Sequence, residues 1–263
     1  MIGIDKEKCI GCGTCIDKCA CRSIVIEEGC AVFHPEKGCM KCMHCAAACP
    51  MDAITYDGRP AVLDEKHEVM REGFPEELEM FLKTRRSYRL FRNEPVAMEE
   101  IEHALEVASW APSARNQHPT KYFVIRGRDQ VDRVTEMIMD DIREKQDERL
   151  ELLRAYEEGN NKVFGSAVTA ICAYARNNAV NPQTDTALKL ETAELVLQAR
   201  GIGTCWSGYL MRNLNRVEAL REAFSLPENN SFYGCLLLGY PEEEYIRIPE
   251  RLKRPDIKLP ELG

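Results

Sequence analysis

Two runs of cysteine dominate the first fifty residues: Cys9, Cys12, Cys15 and Cys19, then Cys39, Cys42, Cys45 and Cys49, each spaced CxxCxxCxxxC. Three thiolates two residues apart can wrap one loop around an iron–sulfur cube, while the fourth cysteine of each run reaches across to the other cube. The spacing therefore predicts two [4Fe-4S] clusters with crossed ligation. Cys9, Cys12, Cys15 and Cys49 would hold one, and Cys39, Cys42, Cys45 and Cys19 the other. Structural zinc is the rival, but zinc knuckles set two CxxC pairs well apart along the chain and often include His. Repeated triplets with a fourth cysteine suit cubes better, which makes His34 and His44 bystanders. Pro50 follows Cys49 as this pattern asks, whereas Ala20 stands at the matching place of the first run. Cys21 and Cys30 read as small apolar filler near the clusters.

A second constellation lies further on. Arg85, Arg86 and Arg89 bring three guanidinium groups within five residues, with Ser87 and Tyr88 between them. Planar paired donors match phosphate oxygens, and a serine hydroxyl adds a short neutral donor. A basic run alone is usually solvated surface, but two other segments raise its weight. Residues 111–119, from Ala111 through Ser113, Asn116 and His118 to Pro119, carry small and amide side chains suited to a polar ring system. Gly201 to Gly208, containing Thr204, Cys205, Trp206 and Ser207, lets backbone N–H groups come close to a ligand. The dinucleotide fingerprint GxGxxG is absent, because Trp206 stands where its last glycine would be, so no nicotinamide-binding Rossmann unit is read. Core packing is the plainer account of Cys205 and Trp206, and Cys172 and Cys235 fall in apolar strands.

Positioning these groups takes two modules, and 263 residues suffice for one ordinary domain and a small one. Residues 1–58 form the first. In both halves the cysteine run is followed by a short apolar piece, Ser23 to Ile26 or Ala53 to Tyr56, read as a strand; this is an internal repeat. Its core is so small that the clusters must supply much of its stability. Residues 59–74 mix charges with Pro60 and Gly73 and read as a linker. The second module, 75–263, alternates helices with buried strands. Pro75 starts a helix with Leu78, Phe81 and Leu82 at helical spacing, and Met98 to Trp110 is a second. Tyr122 to Ile125, Ala167 to Ala175 and Cys235 to Leu238 read as interior strands. Asp185 caps a helix that ends at Gly201. The charged segment 129–158 reads as one or two solvated helices, with a lid over a pocket as the alternative.

Composition narrows the class. Thirty-five basic against forty-three acidic residues leave a net charge of −8, and nucleic-acid binding wants basic stripes instead. The longest apolar stretch, Ala167 to Ala175, is too short to span a bilayer. Met1 to Asp5 carries no signal-peptide pattern. Cluster thiolates need a reducing compartment, so a cytoplasmic location is expected.

Taken together, the Arg85 to Arg89 start, the Ala111 to Pro119 turn, the Gly201 to Gly208 loop and Leu238-Gly239-Tyr240-Pro241 with its basic tail resemble the nitroreductase family of FMN-dependent oxidoreductases, specifically members with a ferredoxin-like amino-terminal extension. The resemblance implies an α+β fold: a nitroreductase-like α/β sandwich, with a mixed central sheet flanked by helices, behind a small two-cluster ferredoxin-like domain. It implies an FMN whose phosphate and ribityl chain are held by Arg85, Arg86, Ser87 and Arg89. The ring would pack along Cys205, Trp206, Ser207 and Gly208, and Ser113 and Asn116 would reach it from the partner subunit of a homodimer. In the tail, Lys253 and Arg254 are chosen for a second phosphate contact, with Arg251 close behind. His118-Pro119-Thr120 replaces the Gln-Pro-Trp of many relatives, a change in the pocket wall.

The implied activity is oxidoreduction: electrons pass from a low-potential donor, ferredoxin or another, through the clusters to FMN and on to a small electron-poor substrate. Nitroaromatics, quinones, activated alkenes and halides all qualify. The cofactor carries the organic chemistry, so no general base is named. Two alternatives stay open: an electron-transfer module serving a protein partner, and an enzyme that consumes its flavin.

Overall fold

The computed structural model describes residues 1–61, 71–253 and 255–260. They form two compact units. One comprises Met1–Arg71 together with Pro112–His118 and Ala179–Asn181; the other holds the remaining segments from Glu72 onward.

The first unit is built twice over. A short helix α1 (Thr14–Asp17) sits within the first cysteine run, and α2 (His44–Ala47) sits thirty residues on within the second. Each helix follows a left-handed residue, Gly13 at φ 78° and Met43 at φ 57°. Each run closes on another, Arg22 at φ 53° and Asp52 at φ 46°. Residues other than glycine seldom hold positive φ, so the backbone path that places the thiols recurs even where the residue types differ. Strands β1 (Ile2–Ile4), β2 (Ile24–Glu27), β3 (Cys30–Phe33), β4 (Ile54–Tyr56) and β5 (Arg59–Pro60) make two antiparallel sheets, β1-β4-β5 and β2-β3. Ile2, Ile24, Ala31, Ala46 and Ile54 form the small core with Cys15 and Cys45. Arg59 and Pro60, expected to open a linker, belong to an edge strand, where a proline's missing N–H breaks no interior ladder. Most of that linker, residues 62–70, lies outside the described residues.

In the second unit, α3 (Phe74–Thr84) has Pro75 in its first turn, where a missing N–H is harmless. Beyond it come α4 (Met98–Val107), β6 (Lys121–Arg126), α5 (Arg128–Lys145), α6 (Leu150–Glu157), β7 (Thr169–Arg176), α7 (Pro182–Ala199), β8 (Gly203–Trp206), α8 (Gly208–Arg216), α9 (Glu218–Ala223) and β9 (Asn230–Gly239). The sheet runs β6-β7-β9-β8. All three pairings are antiparallel, which corrects the mixed sheet expected; an isolated bridge, Ser87 with Thr204, adds a parallel contact.

Both faces of the sheet are covered. Along β7, Ala170, Cys172 and Tyr174 enter one core while Ile171 and Ala173 enter the other. Val131, Ile138 and Ile142 of α5, with Leu210 of α8 and Leu220 of α9, fill the first. Ile101 and Ala104 of α4 and Leu190, Ala193 and Leu197 of α7 fill the second. Burial on two sides explains why β7 and β9 read as unbroken apolar runs. Such runs mark interior strands but carry no signal of direction, and the mixed sheet came from the family resemblance alone.

One helix boundary also moved. α7 starts at Pro182, so Asp185 lies inside the first turn, 2% exposed, instead of capping it. The charged segment after Arg128 forms two helices packed on the sheet by Val131, Val134, Ile138 and Leu153, which favours the solvated-helix reading over a lid.

Candidate functional site: two cysteine cavities and a basic cleft

Each half of the repeat contributes to two cavities. Cys9, Cys12, Cys15 and Cys49 line one; Cys19, Cys39, Cys42 and Cys45 line the other, together with Cys21. The last cysteine of each run thus crosses to its neighbour's cavity. The remaining walls are largely apolar, with Ile4, Ile26 and Ile54 around the first and Ile2, Ile24 and Phe33 around the second. Among the described residues no three His, Cys, Asp or Glu side chains converge as they would on a single ion.

Backbone N–H groups aim at sulfur in both halves. Ala31 N donates to Cys9 Sγ at 3.3 Å and Ala53 N to Cys49 Sγ at 3.4 Å; Ser23 N donates to Cys19 Sγ at 3.4 Å and Lys41 N to Cys39 Sγ at 3.3 Å. Donors of this kind favour the anionic thiolate. Burial opposes them, pushing the Cys15 thiol up, with Cys12, Cys49 and Cys9 adding like-charge repulsion. Burial raises Cys45 too, and Cys42 and Cys19 add to it. The Thr14 hydroxyl, 3.4 Å from Cys12 Sγ, lowers that thiol. Four thiolates crowded in an apolar cavity repel one another unless positive charge lies among them, and iron in a cluster supplies it.

In the second unit the Arg85 to Arg89 segment leaves the end of α3 and runs beside β8. Tyr88 N donates to Thr204 O at 2.9 Å, so the basic run and the Cys205–Trp206 pair are brought together. Gly203 makes this possible: a Cβ there would stand 2.8 Å from Pro241 and 2.9 Å from the Tyr88 ring. Its lack of a side chain admits Tyr88.

Glu194, 1% exposed on α7, ties the arrangement together. It accepts from Arg85 Nη1 at 3.0 Å, Thr204 Oγ1 at 2.9 Å and Trp206 Nε1 at 2.6 Å. Gln198, one turn on, grips the Arg86 backbone from both sides: its Oε1 accepts from Arg86 N at 3.2 Å and its Nε2 donates to Arg86 O at 2.9 Å. Arg86 Nη1 donates to the carbonyls of Lys83 and Arg85, both at 2.7 Å. Sequence reasoning missed Glu194 and Gln198, which look like ordinary helix residues.

A cleft of about 1240 Å³, including its open mouth, is lined by Tyr88, Arg89, Cys205, Trp206, Ser207 and Gly208 on one side. The loop from Gly159 to Ser166 forms the other side and brings Lys162 with it. This loop was also missed. Asn161 shapes it, its Oδ1 accepting from Val163 N at 3.0 Å and Phe164 N at 3.1 Å. Arg85, Arg86 and Ser87 do not line the cleft. Arg89 and Lys162 give it positive charge, and Trp206, 39% exposed, gives it an aromatic edge. Burial raises the Cys205 thiol while nearby Arg89 pulls it down. The Ser207 hydroxyl is committed to structure, accepting from Leu210 N at 3.2 Å as the cap of α8 and donating to Val163 O at 2.9 Å.

Ser113 and Asn116 belong to the first unit. Ser113 Oγ accepts from His118 N at 3.0 Å, Asn116 Oδ1 lies 2.8 Å from His118 Nε2, and Asn116 Nδ2 donates to Met40 O at 3.0 Å. Lys253 and Arg251 are exposed, and Arg254 lies outside the described residues.

Residues 82–240 match the model of the nitroreductase family. The chain belongs to that family, a class of oxidoreductases. A putative NADH dehydrogenase/NAD(P)H nitroreductase from Archaeoglobus fulgidus is 29% identical over 172 residues, covering 64% of this chain and 88% of that protein. The crystal structure of a nitroreductase with bound FMN from Bacteroides fragilis shares the fold, with a TM-score of 0.59 and 23% identity over 70% of this chain and 99% of that one. The amino-terminal segment is similar to a ferredoxin from Methanothermococcus thermolithotrophicus, 38% identical over 56 residues, 20% of this chain and 93% of that protein. Among the described residues no helix is long and apolar enough to cross a membrane.

Proposed function

We propose that this protein is an FMN-dependent oxidoreductase that draws single electrons through two [4Fe-4S] clusters and delivers them in pairs to a small electron-poor molecule. The observation that carries this reading is the division of the eight repeated cysteines between two apolar cavities, four to each with Cys21 also lining the second, in a chain of the nitroreductase family. Cys9, Cys12, Cys15 and Cys49 hold one cluster; Cys19, Cys39, Cys42 and Cys45 hold the other. On this reading the ferredoxin-like domain takes in residues 1–60, through β5, and the flavin domain runs from α3 onward.

The cleft fits a planar, electron-accepting ring. Arg89 and Lys162 supply positive charge where a reduced ring is anionic, and charge held in place before reaction stabilises it without reorganisation. Cys205, Trp206 and Gly208 form the wall along the ring. Arg85, Arg86 and Ser87, which do not line the cleft itself, are the residues proposed for the phosphate end, with Lys253 as a further contact. Glu194 keeps Arg85 and the Trp206 indole in place, and its negative charge is balanced by the guanidinium it holds. When bound, FMN supplies the exchange between one-electron and two-electron chemistry. In the proposed homodimer Ser113 and Asn116 meet the flavin of the partner subunit.

The test is reoxidation of the reduced holoprotein. Nitroaromatics, quinones or enones should reoxidise it over many turnovers with the flavin spectrum preserved. Reoxidation by protein acceptors alone would point to an electron-transfer module, and bleaching of the flavin under air to a flavin-consuming enzyme.

A further inference from the structure

We infer that the two cluster sites have different roles, and that Asn116 couples the second site, the one formed by Cys19, Cys39, Cys42 and Cys45, to the flavin. This rests on the function proposed above. The first unit repeats itself closely, yet only one of two matched positions is engaged by the segment 112–118. Met40 and Ile10 occupy the same place in their runs, directly after Cys39 and Cys9. Ile10 stands 62% exposed, as do other apolar residues of that cavity's wall, Met51 at 42% and Ile26 at 38%. Met40 is half-buried, and its carbonyl accepts from Asn116 Nδ2 at 3.0 Å.

The engaging segment is held firmly and at a conformational cost. Arg115, Asn116 and His118 all have left-handed φ, 53°, 55° and 44°. Non-glycine residues adopt such angles where the surroundings over-determine them, often at functional sites. Here the hold comes from Ser113 Oγ accepting from His118 N, from Gln117 Oε1 accepting from Val180 N at 3.2 Å, and from His118 Nε2 meeting Asn116 Oδ1. A carbonyl can only accept, so the Asn116 amide must present its N–H to Met40 and its oxygen to a protonated His118 Nε2. The orientation of Asn116 is fixed at both ends.

With both clusters bound, Cys39 and Cys42 with the Met40–Lys41 backbone between them would form the one-electron exit toward the partner subunit's flavin. Cys9, Cys12, Cys15 and Cys49 would hold the cluster that takes single electrons from a reduced low-potential electron-carrier protein. Two electrons and protons from water would reduce a two-electron acceptor. Asn116 is a positioning residue in this scheme. Its N–H lies beside the second cluster loop, so its loss makes that cluster harder to reduce.

The experiment uses Asn116→Gly and Asn116→Asp, since glycine and aspartate both tolerate left-handed φ. Glycine deletes the donor, and aspartate replaces it with an acceptor that carries negative charge. Cys42→Ser and Cys12→Ser assign the two cluster signals. In flavin-free protein, redox titration followed by electron paramagnetic resonance should show the second-site midpoint falling from parent to Asn116→Gly to Asn116→Asp, with the first site unmoved. In flavin-loaded protein, with rates taken per bound flavin, the same variants should slow cluster-to-flavin transfer several-fold, with iron content at the parental level. Equal shifts at both clusters, a shift at the first alone, or an unchanged rate would overturn the assignment. Parent protein without iron overturns the proposed function itself, and that analysis precedes the variants, which keeps the two failures apart.

Discussion

Glu194 shows how one buried carboxylate can organise a site built from distant segments. It holds Arg85, Thr204 and Trp206 at once, with only 1% of its surface exposed. Removing one member of a buried charge pair leaves the other uncompensated, a loss of about 3–5 kcal/mol. Glu194→Ala should therefore cost stability of that order in chemical denaturation and loosen the bound flavin. Glu194→Gln, which keeps the shape, should lose less. The cysteines make a sharper prediction, because the proposed ligation is crossed. Cys49→Ala should abolish the same cluster signal as Cys9→Ala, and Cys19→Ala the same signal as Cys42→Ala. If variants within one run instead share a signal, each run folds around its own cluster and the cavities have been misread.

At the scale of elements, the sheet and its helices are tuned for close approach. A Cβ on Gly239 of β9 would stand 2.7 Å from Cβ and Cδ1 of the buried Phe91 and 2.8 Å from its Cγ. Overpacking of this kind costs about 1–3 kcal/mol, so Gly239→Ala should lower the melting temperature, and an unchanged melting curve would mean that Phe91 has room to move. The junction between α5 and α6 is secured by Arg149, whose Nε donates to Asp147 Oδ1 at 2.9 Å and whose Nη2 donates to Oδ2 at 2.6 Å. The Arg149 hydrogen bonds hold the Asp147 carboxyl down at about 2, against an ordinary 3.8. Its pKa is lower when folded, so its contribution is complete above pH 3.8 and fades as pH falls toward about 2. Arg149→Ala should speed amide exchange in residues 146–157 at neutral pH, and rates equal to the parent's would show the clamp to be idle.

The elements also explain what the sequence could reveal. β7 and β9 were legible because burial on both faces leaves a long run such as Thr169 to Ala175 almost wholly apolar, but such a run is silent on direction. β1 and β3, of three and four residues, are too short to show a period. β8 was hidden because Gly203 to Trp206 looks like a loop motif, and its strand character comes from pairing with β9. The thiols were the most readable feature, since cluster chemistry dictates spacing along one short segment. The cleft was half readable. Arg89, Cys205 and Trp206 stand in recognisable motifs, whereas the Glu194–Arg85 and Gln198–Arg86 contacts join residues 109 and 112 positions apart. The Gly159 to Ser166 loop carries no motif, and only the tertiary fold sets it opposite Arg89.

At the scale of the whole molecule, the chain joins a small unit whose interior is mostly thiol and aliphatic to a family domain that closes its own two-faced core. Stability should divide the same way. The first unit has few core residues, so removal of the iron proposed for it by a chelator under oxidising conditions should unfold it, while the sheet of the second unit keeps its exchange protection. Joint unfolding of both would mean that neither folds apart from the other. The account as a whole is tested most directly by one measurement on protein purified without oxygen: iron, sulfide and flavin content, followed by reductive titration of the same sample in the visible. About eight irons and one FMN per chain are expected, with electrons added to the clusters appearing in the flavin. Zinc in place of iron, or a flavin that stays oxidised beside fully reduced clusters, would contradict it.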